Sequence, residues 1–269
     1  MPALPVLMYH HVTPNPGLVT VSPETFRDQM AWLARHGYHG IGCGDLERFL
    51  SGQALPRKSV LITFDDGYLD NYVHAHPVLL EFGLHAAIFL VTGWVGEGPA
   101  RRHAGMAGAV PDCPDHREAT ALIRGGEADR AMLRWSEVEA MQAAGSGEFH
   151  SHTHSHIRWD KQIADPAARR AALAEDLAES RQALARRTGA SAHLCWPQGY
   201  FDDDYQRVAA AAGFRYLYTV KKGINTAVTA ADAINRIVVK DRAGAWFAAR
   251  MYLYRHERLG GLYVRLRGD

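Results

Sequence analysis

Six short apolar runs, at 5–9, 60–64, 87–91, 193–196, 216–220 and 234–239, punctuate this chain of 269 residues. Each is rich in β-forming side chains and nearly free of polar alternation, the pattern of strands buried on both faces. Segments of helical period lie between them. Ser22-Pro23-Glu24 reads as a cap with proline at the first helical position, and Phe26, Met30 and Leu33 then share one face. Asp165-Pro166 opens a second helix, with Leu173, Leu177 and Leu184 as its apolar stripe and Gly189 as its stop. Strands alternating with helices predict a parallel α/β sheet or barrel in one domain, a length that such folds routinely reach.

The residues from Glu97 to about Arg130 break this rhythm with Gly, Ala, Arg and Pro and no sustained period. They predict an irregular insertion beside the site, read equally well as a substrate lid or a surface excursion. No internal repeat and no linker divides the chain.

Overall charge excludes little but excludes it clearly. A formal net charge of +1 gives no general pull toward nucleic acid. The start of the chain has no basic, apolar and small-residue succession of a leader, and no apolar stretch approaches a membrane span. Cys43, Cys113 and Cys195 are odd in number and far apart, so no disulfide framework is expected. These features predict a cytoplasmic protein with no obligate protein partner.

Chemistry concentrates in two places. The run at 60–64 ends in Asp65-Asp66-Gly67. Neighbouring side chains of an extended strand point to opposite faces, but a turn at the strand end, freed by Gly67, lets both carboxylates converge. A solvated Asp-Asp-Gly turn is the plainer reading of those residues alone; the buried strand before them favours a site. Far downstream, His150, His152, His154 and His156 alternate with Ser151, Thr153 and Ser155. Spacing alone selects neither the 152/156 nor the 150/154 pair as ligands. Together the two segments offer oxygen and nitrogen donors for a divalent metal, with one carboxylate to spare for proton transfer.

These segments resemble the polysaccharide deacetylases, carbohydrate esterase family 4 or the NodB homology domain. Thr63-Phe64-Asp65-Asp66-Gly67 is the family's first motif unchanged, and His152-Thr153-His154-Ser155-His156 matches its second, prefaced by Glu148-Phe149-His150-Ser151. The resemblance spans roughly 5–240. It implies a distorted (β/α) barrel, Asp65 as general base, and Asp66, His152 and His156 as ligands of one divalent ion. Zinc is the first choice, with cobalt, nickel or manganese as alternatives. This framing sets His150 and His154 aside.

The third motif departs from the family pattern at Cys195-Trp196-Pro197-Gln198-Gly199, where an arginine is expected in place of Cys195. Pro197 and Gly199 keep the turn, so Gln198 is expected to offer a backbone N–H to an oxyanion. Pro197, Trp196 and Tyr68 are expected beside the substrate. Arg236 is the candidate for the missing arginine's role, against the reading of an ordinary strand-end arginine. Cys195 is expected to be a small buried hydrophobe. Met8-Tyr9-His10-His11-Val12 resembles a segment of the poly-N-acetylglucosamine deacetylase branch, which implies His10 as general acid. His11 is expected to support it or to face solvent.

Residues 1–245 are thus expected to form the deacetylase domain, and 246–269 a basic aromatic segment packed on it or extending from it. That segment suits peripheral contact with an anionic membrane or glycolipid, although a packed helix with a solvated basic face explains it as well. The expected activity is hydrolytic removal of an N-acetyl group from an amino sugar of a glycan or glycolipid. A lipopolysaccharide precursor at the inner membrane face fits the absence of a leader. The alternatives are hydrolysis of a small non-sugar amide, as in allantoinase-like relatives, and a silent glycan-binding homologue. Glycosidase chemistry needs carboxyls about 5–9.5 Å apart across the scissile bond, which two adjacent aspartates at one metal do not supply.

Overall fold

Among the described residues ten strands form: β1 (Val6–Tyr9), β2 (His11–Val12), β3 (Thr20–Val21), β4 (His39–Gly40), β5 (Ser59–Phe64), β6 (Ala86–Leu90), β7 (Gly147–Ser151), β8 (His193–Cys195), β9 (Tyr216–Tyr218) and β10 (Ile237–Val238). Ten α-helices accompany them: α1 (Pro23–Arg35), α2 (Cys43–Leu50), α3 (His76–Glu81), α4 (His116–Arg124), α5 (Trp135–Ala143), α6 (Trp159–Gln162), α7 (Pro166–Arg187), α8 (Asp203–Ala211), α9 (Gly244–Tyr254) and α10 (Glu257–Arg267). The computed structural model describes residues 3–267. Residues 1–2 and 268–269, the ends of the two segments expected from sequence, lie outside the described residues.

The main sheet is all parallel, in the order β10-β1-β5-β6-β7-β8-β9, with β4 beside the start of β5. Leu7 pairs with Ile237 on one side of the closing segment, and Tyr218 bridges to Ile234 on the other. The run expected at 234–239 therefore closes the sheet into a distorted (β/α) barrel, though only its end holds full strand geometry. The pairing of β7 with β8 is equally thin, a single register at Ser151 and Leu194.

β1, β5 and β6 are buried at every position, as continuous apolar runs between helices must be. Their outer faces, with Leu7, Ile62 and Ile88, join Phe26, Met30 and Leu33 of α1 in the largest core cluster. The inner faces, with Val6, Leu61 and Phe89, pack around Cys195 and Tyr218. Each fully buried side chain of this kind contributes about 1.5–3 kcal/mol. Ser22 caps α1 through Thr25 N–H, Pro23 follows, and Asp165 caps α7 in the same way through Ala168.

Two sequence expectations need correction. β7 was absent from the expected strands because Gly147-Glu148-Phe149-His150-Ser151 has one large apolar residue. Glu148 and His150 face the barrel interior, 3.6 Å apart, while Ser151 faces α7 and bonds Ser180. The insertion at 97–130 is not structureless: Asp115 caps α4 by accepting from Glu118 N–H, and Ala119 is fully buried. The C-terminal segment packs on the barrel through Phe247, Met251 and Tyr254 of α9. No helix among the described residues is long and apolar enough to cross a membrane.

Candidate active site

Asp65 and Asp66 follow β5 at its C-terminal end, where parallel barrels gather their chemistry. Asp66 has φ +72° and Gly67 φ +82°, and this left-handed pair turns both carboxylates toward the barrel mouth. A Cβ on Gly67 would stand 2.5 Å from Leu90 Cδ2, so glycine is required here on two counts. Thr153, His156 and Gln198 also have positive φ, at +66°, +58° and +55°. Non-glycine residues hold such angles only where their surroundings compel them, and four of the six in the described chain surround this one mouth.

His152 leaves β7 with its N–H donating to Leu90 O. Its ring Nδ1 lies 2.8 Å from the Cys195 carbonyl, an acceptor only, so Nδ1 carries a proton and Nε2 is the nitrogen turned toward Asp66. That Nε2 is 3.4 Å from Asp66 Oδ1, and His156 Nε2 is 3.5 Å from the same oxygen. Asp66 Oδ1 is buried without a hydrogen-bond partner. Burial of an unsatisfied carboxylate oxygen is costly, and a cation between it and the two imidazoles removes the cost. Burial works against ionisation of Asp66, but His152 and His156 hold its carboxyl far below the usual range. Burial lowers His156 to about 4, which leaves it neutral and able to ligate at pH 7. These three residues fit a divalent ion by donor chemistry, orientation and orphaned charge.

Asp65 is held apart from that group. Arg236 Nη1 and Nη2 donate to its two oxygens at 2.6 and 2.7 Å, while Arg236 Nε donates to Thr219 O at 2.9 Å. Arg236 is fully buried, its Nη2 3.0 Å from Cys195 Sγ. A small thiol at position 195 thus leaves the room that the guanidinium fills from the other side of the barrel. Burial pushes the Asp65 carboxyl up, but the Arg236 charge and fork outweigh it and hold it at about 2. Asp65 is therefore anionic at neutral pH. His10 Nε2 stands 3.6 Å from Asp65 Oδ2, partly open to the mouth.

The remaining expected residues divide. Gln198 and Tyr68 line a cavity of about 600 Å³ together with Asp66 and His156. Tyr68 stacks on His11 with ring centroids 3.6 Å apart. His11 is buried and bonded through Nδ1 to Asp70 Oδ2 at 2.7 Å, so it supports the wall and does not face solvent. Pro197 is buried under the turn. Trp196 does not reach the cavity. Strand alternation turns Cys195 inward and Trp196 outward, where it packs against Tyr205 and Phe201 under α7 and α8. His154 points away, its Nδ1 3.0 Å from Thr92 Oγ1.

Several residues around the site carry no signal in their local sequence. Trp94, whose ring lies 5.2 Å from that of His156, forms part of the cavity wall, as do His116 and Arg124 of α4 and Arg158 and Lys161 near α6. Asp176 is the most consequential. It sits on the apolar stripe of α7, where Oδ1 accepts from the N–H groups of His154 and Ser155 at 2.8 Å each. Its Oδ2 accepts from Trp159 Nε1 at 3.0 Å. An acid among Leu173, Leu177 and Leu184 was the available clue.

The sequence matches the polysaccharide deacetylase family model over residues 52–217, more than half of the chain. The chain belongs to the polysaccharide deacetylase family. This is a family of hydrolases, and the first two motifs lie in the matched span. A poly-β-1,6-N-acetyl-D-glucosamine N-deacetylase of Escherichia coli strain K12 is 23% identical over 82% of this chain, which spans only 34% of that protein. The enzyme of the same name from Staphylococcus aureus strain MRSA252 is 25% identical, with 83% of this chain and 69% of that protein aligned. Among solved structures, IcaB from Ammonifex degensii superposes with TM-score 0.74 and 24% identity over 95% of this chain and 98% of that one. A de-N-acetylase from Aggregatibacter actinomycetemcomitans gives 0.72 and 19% over 92% and 99%. These likenesses establish a shared deacetylase fold.

Proposed function

We propose that this deacetylase-family chain is a metal-dependent de-N-acetylase that removes acetyl from an N-acetylated amino sugar of a glycan or glycolipid. The observation that carries the reading is the division of labour between adjacent aspartates: Asp66 shares its orphaned oxygen with two imidazoles, while Asp65 is clamped by Arg236. A divalent ion at Asp66, His152 and His156, zinc in the first place, would supply an activated water and polarise the acetamide carbonyl.

The protein's own groups supply the rest. Asp65, kept ionised and oriented by the Arg236 fork, takes the proton of the attacking water. The backbone N–H of Gln198 stands ready for the negative charge that develops on the acetyl oxygen. His10, beside Asp65, delivers a proton to the departing amine. Tyr68 and Trp94 shape the wall against which the sugar lies. The relatives named for N-acetyl-D-glucosamine polymers support the substrate class.

A lipid-linked precursor at the inner membrane face is the finer reading. Its support is α10, where Leu259, Leu262 and Leu266 are exposed at helical spacing beside Arg258 and Arg265. Efficient acetate release from soluble N-acetylglucosamine oligomers, with none from lipid-linked sugars, would overturn this finer reading and leave the broader one standing. Release of a product other than acetate from a small cyclic amide would move the activity toward the allantoinase-like alternative. A silent glycan-binding role has no use for a clamped spare carboxylate.

A further inference from the structure

The second polar group inside the barrel lies at the opposite end of the sheet and plays no part in the proposed reaction. On β7, Glu148 and His150 point inward from the same face as His152, but nearer the strand's start. Cys43, the first residue of α2, covers that end of the barrel. Cys43 Sγ, a Glu148 carboxylate oxygen and a His150 ring nitrogen all lie within 4.8 Å of one another. Phe89 lies between the two levels, its ring centroid 5.9 Å from that of His150, with the Arg236 guanidinium 5.9 Å on its other side.

The donors are aimed. His150 Nδ1 is 2.8 Å from Ser191 Oγ, which also accepts from the His193 N–H at 3.1 Å; in the tautomer whose Nδ1 donates to that hydroxyl, Nε2 keeps its lone pair. Metal-binding histidines are oriented by partners of this kind. His150 Nε2 is nevertheless buried with no hydrogen-bond partner, and its residue is only 8% exposed. Its nearest charged neighbour is Glu148 Oε1 at 3.6 Å. Glu148 also accepts from the Cys43 backbone N–H, which brings the start of α2 against β7. Tyr218 Oη lies 3.3 Å from Cys43 Sγ and 3.1 Å from His193 Nδ1, so the phenol donates to His193 and accepts from the Cys43 thiol. Glu148 is 28% exposed, leaving a path from solvent.

We propose that Cys43 Sγ, Glu148 and His150 Nε2 form a second divalent-cation site, suited to zinc by its sulfur, oxygen and nitrogen donors, that clips α2 to β7. His85, whose Nε2 lies 3.9 Å from Glu148 Oε1, flanks the opening. Binding at this site deprotonates the Cys43 thiol and releases its proton to solvent. The site is independent of the one at Asp66, and its failure would leave the deacetylase reading intact.

Metal-free protein would be equilibrated with zinc and, separately, with cobalt. Wild type is expected to hold a second equivalent of zinc that survives Asp66→Ala and is lost in Cys43→Ser and in His150→Ala. Cys43→Ser is expected to keep acetate release within about twofold of wild type. The cobalt protein is expected to show a near-ultraviolet sulfur-to-metal band, absent in Cys43→Ser and present in Asp66→Ala. This spectrum reads the folded wild type directly, whatever the variants' stability. A single equivalent lost in Asp66→Ala would overturn the proposal, as would a sulfur band that persists in Cys43→Ser and disappears in Cys195→Ala.

Discussion

Arg236 and Asp65 stand 171 positions apart in the chain and meet through two parallel hydrogen bonds of 2.6 and 2.7 Å, in full burial. The Asp65 carboxylate is thus oriented from the barrel's closing segment, across the space that Cys195 leaves. Removing one partner of a buried pair strands the other, at about 3–5 kcal/mol. Arg236→Ala is expected to lower stability by that amount in chemical denaturation and to cut acetate release by about 10²-fold or more. Arg236→Lys restores charge without the fork and should recover part of the stability and less of the activity.

Asp176 anchors the loop between His152 and His156 by accepting from two backbone N–H groups and from Trp159. Asp176→Ala leaves those donors unpaired and frees the approach to His156. Zinc affinity at Asp66, measured by competition with a chelator, is expected to fall about 10–100-fold. Asp176→Asn, which keeps an acceptor oxygen, should lose less.

The barrel was legible wherever strands are apolar on both faces, because continuous runs at 5–9, 60–64 and 87–91 admit few other environments. It was not legible at β7, where Glu148 and His150 are stabilised inside by neighbours distant in the sequence. The grouping of Asp66, His152 and His156 was readable from local motifs. Arg236 was harder: only three dimensions show that the guanidinium absent at position 195 re-enters from the segment at 234–238. Trp196 misled because its neighbours in the motif face the site, while alternation sends its own ring under α7 and α8.

Gly67→Ala tests the turn that aims the aspartates. The added Cβ would press on Leu90 at a backbone angle that side chains disfavour. Strain and overpacking together should cost about 1–3 kcal/mol in denaturant unfolding. Displacement of Asp66 should reduce bound metal in the same samples.

Stability should also depend on His76, buried with Nδ1 2.7 Å from Ser146 Oγ and its ring stacked on Tyr72. Burial, helped by nearby His103, lowers its folded value to about 4 from the ordinary 6.5. The unfolded chain therefore binds the extra proton first. This contribution is complete above about pH 6.5 and is lost as pH falls toward 4. Denaturation midpoints across that window should slope downward with acid in wild type and less steeply in His76→Gln.

Acetate release by zinc-loaded protein, assayed across a panel of N-acetylated glycans and lipid-linked amino sugars, tests the central claim most directly when wild type is run beside Asp65→Asn. The account predicts acetate from at least one substrate with wild type, and loss of that release in Asp65→Asn with zinc still bound at Asp66, His152 and His156. Release undiminished in Asp65→Asn, or no acetate from any substrate with the zinc site filled, would contradict it.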